Sequence, residues 1–151
     1  MKKLGLTMIL CIVIIFVMSV GYAASPTFTI TVSSSSVVEF DSKCWNTKAY
    51  SSGDRSKFSI KITSFNLKSG TPNFPIYAYA GGYANNDPSN GLSICGYAEI
   101  TSSDFNSRVL GTYYDAYNVA GIHYCPGLRA AAGSNYVCTF NGIWNADRAS
   151  I

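Results

Sequence analysis

The sequence predicts an α+β domain, one helix packed on a small antiparallel β-sheet and cross-linked by disulfides. Three observations predict it. The stretch "SSGDRSKFSIKITSFNLKSG" (51–70) carries helix end signals on both sides. Beyond Pro72 the chain breaks into short alternating runs separated by turn residues. Of five cysteines, one, Cys11, lies in an export-type leader and four follow it.

The leader comes first. In "MKKLGLTMILCIVIIFVMSVGYAAS", Lys2 and Lys3 form a basic start and Leu10 to Val17 an apolar stretch, with Gly21 and Ala23 at the −3 and −1 positions of a cleavage site. This is the layout of a secretory signal peptide over 1–23, leaving 24–151 as a single secreted domain. No later apolar run approaches the ~20 residues a membrane-spanning helix needs, so no membrane partner is expected. The formal charge of +3 includes Lys2 and Lys3. Without them nine basic side chains face eight acidic ones, and no run of Lys or Arg exists. Strong nucleic-acid binding through charge alone is therefore excluded.

Residues 24–36 are rich in Ser and Thr and contain a short alternating strand, "TFTITV", expected at the periphery. Cys44, Cys95, Cys125 and Cys138 form an even set, which in a short secreted chain reads as two disulfides with three possible pairings. Zinc ordinarily asks for C-x-x-C spacing, which is absent, and neither a metal nor a cofactor is expected. The segment 51–70 supports two periodicities. Phe58, Ile60 and Ile62 alternate as in a strand, while Phe58, Ile62 and Phe65 make a helical stripe. Its ends favour the helix: Ser52 as cap, Asp54 in the first turn, Lys68 in the last, and Gly70 and Pro72 beyond. "FPIYAYA", "LSICGYAEI", "SRVLGTYY", "YNVAGIHYC" and "NYVCTF" then read as strands of an antiparallel meander, with "GGYANNDPSNG" a long loop.

Three chemically active residues fall on successive predicted strands. A tight turn at Ser103-Asp104 sets Glu99 opposite Arg108, and one at Asp115-Ala116 sets Arg108 opposite His123, the only histidine. A carboxylate base, a guanidinium to stabilise charge and an imidazole acid are the groups needed to cleave RNA by internal transfer through a 2′,3′-cyclic phosphate. The same residues also suit an ordinary cross-strand ion pair beside a packed histidine.

At these residues the chain resembles the small secreted guanyl-specific ribonucleases of fungi and their barnase-like bacterial relatives. "CWNTKAYSSGD" (44–54) is similar to the entry to that family's helix, "NFPIY" (73–77) to its Tyr-Pro-His-x-Tyr strand, and "YAEI" (97–100) to the strand bearing its glutamate. "RVL" (108–110) resembles its arginine strand, "AGIHY" (120–124) its histidine strand and "GSNYVCT" (133–139) its closing strand. The resemblance implies Glu99 as base, Arg108 as phosphate contact and His123 as acid. It also implies Phe74 at the place of a phosphate-contacting tyrosine, and disulfides Cys44–Cys138 and Cys95–Cys125. Ile76 stands where the fungal enzymes carry a second histidine, and the guanine-reading segment has no clean counterpart.

That erosion also resembles the ribonuclease-like secreted effectors of plant-pathogenic fungi, which implies RNA or a host protein as partner with no cleavage required. A third reading is independent of the family: a small β-rich adhesin or sugar-binding module. Tyr77, Tyr79 and Tyr83, in a Tyr/Gly/Asn-rich stretch, suit stacking on bases or on sugars. Trp45 and Trp144 are expected to pack, and the chain to be a monomer.

Overall fold

The computed structural model describes residues 25–148 apart from 34, 72 and 88–90; the leader expected over 1–23 lies outside the described residues. The fold is nearly all β, and the single helix is not formed. Nine strands make one sheet: β1 (Thr27–Val32), β2 (Glu39–Phe40), β3 (Asn46–Thr47), β4 (Phe58–Gly70), β5 (Ile76–Tyr83), β6 (Leu92–Ile100), β7 (Val109–Tyr113), β8 (His123–Arg129) and β9 (Tyr136–Asn145). Their order is β1-β9-β4-β7-β6-β5-β8-β2, with β3 also on β8. Every pairing is antiparallel. The sheet curls into a nearly closed barrel, and Thr29 N–H near one edge donates to the Asp41 carboxylate beside the other at 3.0 Å.

The predicted helix fails for a definite reason. Phe58, Ile60 and Ile62 project from one face of β4 into the barrel and are fully buried, so the two-residue period prevails over the helical one. The end signals serve smaller features. Asp54–Ser56 forms one 3-10 turn, and Gly70 adopts φ +75° at the end of the strand. A Cβ there would lie 2.0 Å from the Asn135 carbonyl oxygen. The first strand is not peripheral either: Phe28, Ile30 and Val32 alternate into the core.

Alternation fills the interior. Tyr136, Cys138, Phe140 and Trp144 point inward from β9. A line of rings then crosses the barrel: Trp144 to Phe58 at 5.0 Å, Phe58 to Tyr113 at 5.6 Å and Tyr113 to Tyr124 at 4.8 Å between centroids. Gly111, opposite Phe58 in the ladder, makes room for this line, since a Cβ there would fall 1.9 Å from Phe58 Cζ. We expect Gly111→Ala to destabilise the fold by about 1–3 kcal/mol through overpacking. Urea midpoints of the two proteins check this, and an unchanged midpoint would mean the ring yields without strain.

The expected disulfides are also corrected. All four cysteines are free and buried. Side chains explain it. A Cβ on Gly82 would meet Cys95 Sγ and the Tyr124 ring inside the barrel, whereas one on its neighbour Gly81 would meet Phe40 and Cys125 Sγ outside. Cys95 and Cys125 therefore lie on opposite faces of the sheet. Cys44 precedes β3 on the outer side of β8, and Cys138 is inside the barrel between β1 and β4. Neither implied pairing is made.

Candidate functional site

The three residues proposed for acid–base chemistry are not brought together. β7 pairs with β4 and β6, and β8 pairs with β5, β2 and β3, so the meander ends at β7. The β6–β7 register sets Tyr97 beside Thr112, which places Leu110, not Arg108, in line with Glu99. The connection is longer than a two-residue turn because Thr101 and Asp104 cap each other around a 3-10 turn at Ser102–Asp104. The Thr101 N–H donates to the Asp104 carboxylate at 2.8 Å and its hydroxyl at 2.6 Å, which hold that carboxyl below its usual range. Arg108 is exposed just ahead of β7.

His123 starts β8, far from both. Glu99 and Arg129 flank Tyr77 in one row of the ladder, and His123 lies six residues back from Arg129. At ~3.3 Å per residue that is about 20 Å along the strand. The imidazole instead shares a 2.8 Å hydrogen bond between Nδ1 and the Thr47 hydroxyl, and Trp45 lies over it with 4.5 Å between centroids. Phe74 is half-buried and packs edge-on against Phe105. Tyr83 is buried and donates to the Ser42 carbonyl at 2.7 Å, so it offers no stacking surface.

Tyr77 and Tyr79 share one face of the sheet and make up a candidate site. Both lie on the outer face of β5, two residues apart and therefore on the same side of the sheet. Phe40 covers one end of this face, its ring seated on Gly81 and Gly127. The other end is left open. There Tyr79 stands beside Tyr97 of β6 and Tyr77 beside Arg129 of β8. The Arg129 guanidinium lies 5.5 Å from the Tyr77 ring centroid and 5.3 Å from that of Tyr79, a cation held over two π faces. Its Nε is buried without a hydrogen-bond partner.

The surface is graded. Tyr79 is 7 % exposed and forms the floor, while Tyr97 and Tyr114 are 48 % and 47 % exposed and stand as walls. Burial pushes the Tyr79 phenol up, with Arg129 opposing. Glu99 is exposed across Tyr77 from Arg129, and Thr112 is exposed beside Tyr97. The arrangement is an aromatic face with a guanidinium on one side and a carboxylate on the other. Sequence reading found Tyr77 and Tyr79. It missed Tyr97 and Arg129, which only the strand order β6-β5-β8 brings alongside; their parity within "LSICGYAEI" and "HYCPGLR" was the available signal.

One further polar group is enclosed. Lys48 is fully buried; its ammonium donates to the Ser56 carbonyl, pairs with Asp147 Oδ1 at 3.5 Å and sits 4.0 Å from the Tyr113 ring centroid. Among the described residues no group of three or more His, Cys, Asp or Glu is placed to hold a metal ion, and no helix is long and apolar enough to cross a membrane. No protein-family profile, curated protein or solved structure matches the chain.

Proposed function

We propose that this chain is a secreted β-barrel binding module that takes neutral sugars on the Tyr77/Tyr79/Tyr97/Arg129 face. The observation that carries the reading is the Arg129 guanidinium lying over Tyr77 and Tyr79 beside the exposed Tyr97. The face of a pyranose ring presents C–H bonds of slight positive charge, which meet the negative faces of rigid aromatic rings. A planar guanidinium donates paired hydrogen bonds to vicinal hydroxyls, and a carboxylate accepts them. Glu99 and Arg129, two strands and therefore ~10 Å apart across Tyr77, fit the edges of one or two sugar rings.

Charge selects sugar over RNA as the preferred partner. An RNA strand brings one phosphate per nucleotide, whereas this face offers one guanidinium and places Glu99 in the same row. The leader expected over 1–23 supports export, where extracellular glycans are met.

Binding of the purified chain to an array of immobilised neutral oligosaccharides tests the reading. Tyr97→Ala and Arg129→Ala should each reduce retention at least about five-fold with an unchanged circular dichroism spectrum, since truncating a stacking ring or a paired donor removes about 1–3 kcal/mol. His123→Ala should leave retention as it is. Retention of single-stranded RNA in place of every glycan, or equal glycan retention by Tyr97→Ala, would sink the assignment.

A further inference from the structure

A second site is built into the barrel interior, and its origin lies in the order of side-chain sizes. Inward-facing residues of β5 run Ile76, Ala78, Ala80, Gly82, and their partners on β6 run Ile100, Ala98, Gly96, followed by Cys95. On both strands the side chains shrink toward the same mouth. A small barrel is closed when its inward side chains fill it, and here two adjacent strands stop supplying them. Tyr113 and Tyr124 occupy the space next to the alanines. Beyond them a pocket of about 470 Å³ remains open at the mouth.

Its walls are specific. Gly82, Cys95 and Tyr124 make the floor, where a Cβ on Gly82 would come 2.7 Å from Cys95 Sγ and 3.3 Å from the Tyr124 ring. Leu92, Tyr117, Val119 and Ile122 make the sides. The Tyr124 hydroxyl donates to the Tyr117 carbonyl, tying floor to wall, so this phenol is already occupied. Ser93 Oγ, 3.4 Å from Cys95 Sγ, is a side-chain hydroxyl at the rim that can meet a guest, with the Tyr117 phenol on the opposite wall. Among the described residues no Lys, Arg, His, Asp or Glu lines the pocket. Burial keeps the Cys95 thiol protonated, so that group adds no charge.

We propose that this mouth binds one uncharged, mostly hydrocarbon small molecule, with a single hydrogen-bonding group placed at Ser93. Size and polarity both argue for this class. The pocket spans about fifteen water-sized volumes, within the range of small-ligand sites. A charged guest has no counter-ion there and would shed its hydration without compensation. Leu92, Tyr117 and Val119 are 36 %, 43 % and 45 % exposed, so the apolar rim is accessible from solvent. The site is separate from the tyrosine face, since the pocket opens at the barrel mouth and Tyr77, Tyr79 and Tyr97 lie on the outer face of the sheet and do not line it.

Fluorescence titration of the full chain with N-phenyl-1-naphthylamine tests the inference. Saturable binding of one probe per chain is expected, displaced by 1-decanol and at least ten-fold less well by decanoate, its charged counterpart. Ala116→Trp and Ser93→Phe each place a ring in the mouth. Ala116 is exposed on a 3-10 turn, so this variant should fold, as circular dichroism will verify, and weaken the probe at least ten-fold. On the unaltered chain, NMR should report shifts at Val119 and Ile122 methyls on addition of 1-decanol and none at Tyr97. Absence of saturable binding, equal displacement by decanoate, full affinity in folded Ala116→Trp, or shifts confined to the tyrosine face would each overturn it.

Discussion

Replacing Asp147 with alanine should remove about 3–5 kcal/mol of stability, the penalty of stranding a buried charge. Lys48 is enclosed on all sides, and Asp147 is its counter-ion at 3.5 Å. The same carboxylate accepts the backbone N–H groups of Ala49 at 2.6 Å and Tyr50 at 3.2 Å. Asp147→Ala therefore leaves an ammonium and two amides to find new partners. The Ser56 carbonyl and the Tyr113 ring remain, and neither neutralises the charge. Against a typical total of about 5–15 kcal/mol, that is a large share of the stability. Lys48→Met should behave quite differently, with a loss of about 1 kcal/mol or less, because a thioether of similar length keeps the contact with Tyr113 and Asp147 retains its two amides. Urea unfolding of both variants decides it. Equal losses would show that the pair acts as simple packing.

This pair was not legible in the sequence. Lys48 lies in "CWNTKAYSSGD" and Asp147 near the carboxyl end, and nothing local marks either as buried. What was legible is the local alternation. Four of the five strands read beyond Pro72 form close to where they were read, while "YNVAGIHYC" is turn and loop up to His123, where β8 begins; the sizes of the inward residues of "IYAYAGGY" already encode an unfilled mouth. Two kinds of information were missing. The first is the choice between periods at 58–65, where Phe58, Ile60 and Ile62 serve a strand and Phe58, Ile62 and Phe65 a helix. The barrel decides it by burying Ile60, leaving Phe65 46 % exposed. The second is strand order. A meander places β8 next to β7, whereas the fold carries it across to β5, which separates His123 from Glu99 and lines up Arg129 with Tyr77. The same long-range step puts Cys95 and Cys125, and Cys44 and Cys138, on opposite faces, so neither implied bridge forms and all four thiols are free.

The free thiols lead to an expected result of comparable size: the protein should unfold in alkali, beginning near pH 9 and complete within about two units. Burial pushes the Cys44 and Cys125 thiols up to about 12 and raises those of Cys95 and Cys138. Burial likewise lifts the phenols of Tyr124 and Tyr136 to about 12, and those of Tyr79, Tyr83 and Tyr113 upward. In the unfolded chain thiols lose their protons near 8.5 and phenols near 10. Above pH 9 the folded state thus holds more protons than the unfolded one, and stability falls as pH rises. Each such group removes about 1.4 kcal/mol per pH unit across its window, so Cys44 and Cys125 alone give a slope on the order of 3 kcal/mol per unit, to which the other thiols and the phenols add in the same direction. Lys48 runs the other way, since burial lowers its pKa and the unfolded chain binds the extra proton, but it is one group against nine. The same protonation keeps these cysteines inert to exchange, because the thiolate is the attacking form. Circular dichroism against pH should show the transition, and Cys95→Ala with Cys138→Ala should flatten it. Adding a reductant at pH 7 should leave the melting temperature unchanged, where bridged cysteines would give up about 2–5 kcal/mol for each lost bond. A fold that persists to pH 12 yet collapses with reductant would return these four residues to two disulfides.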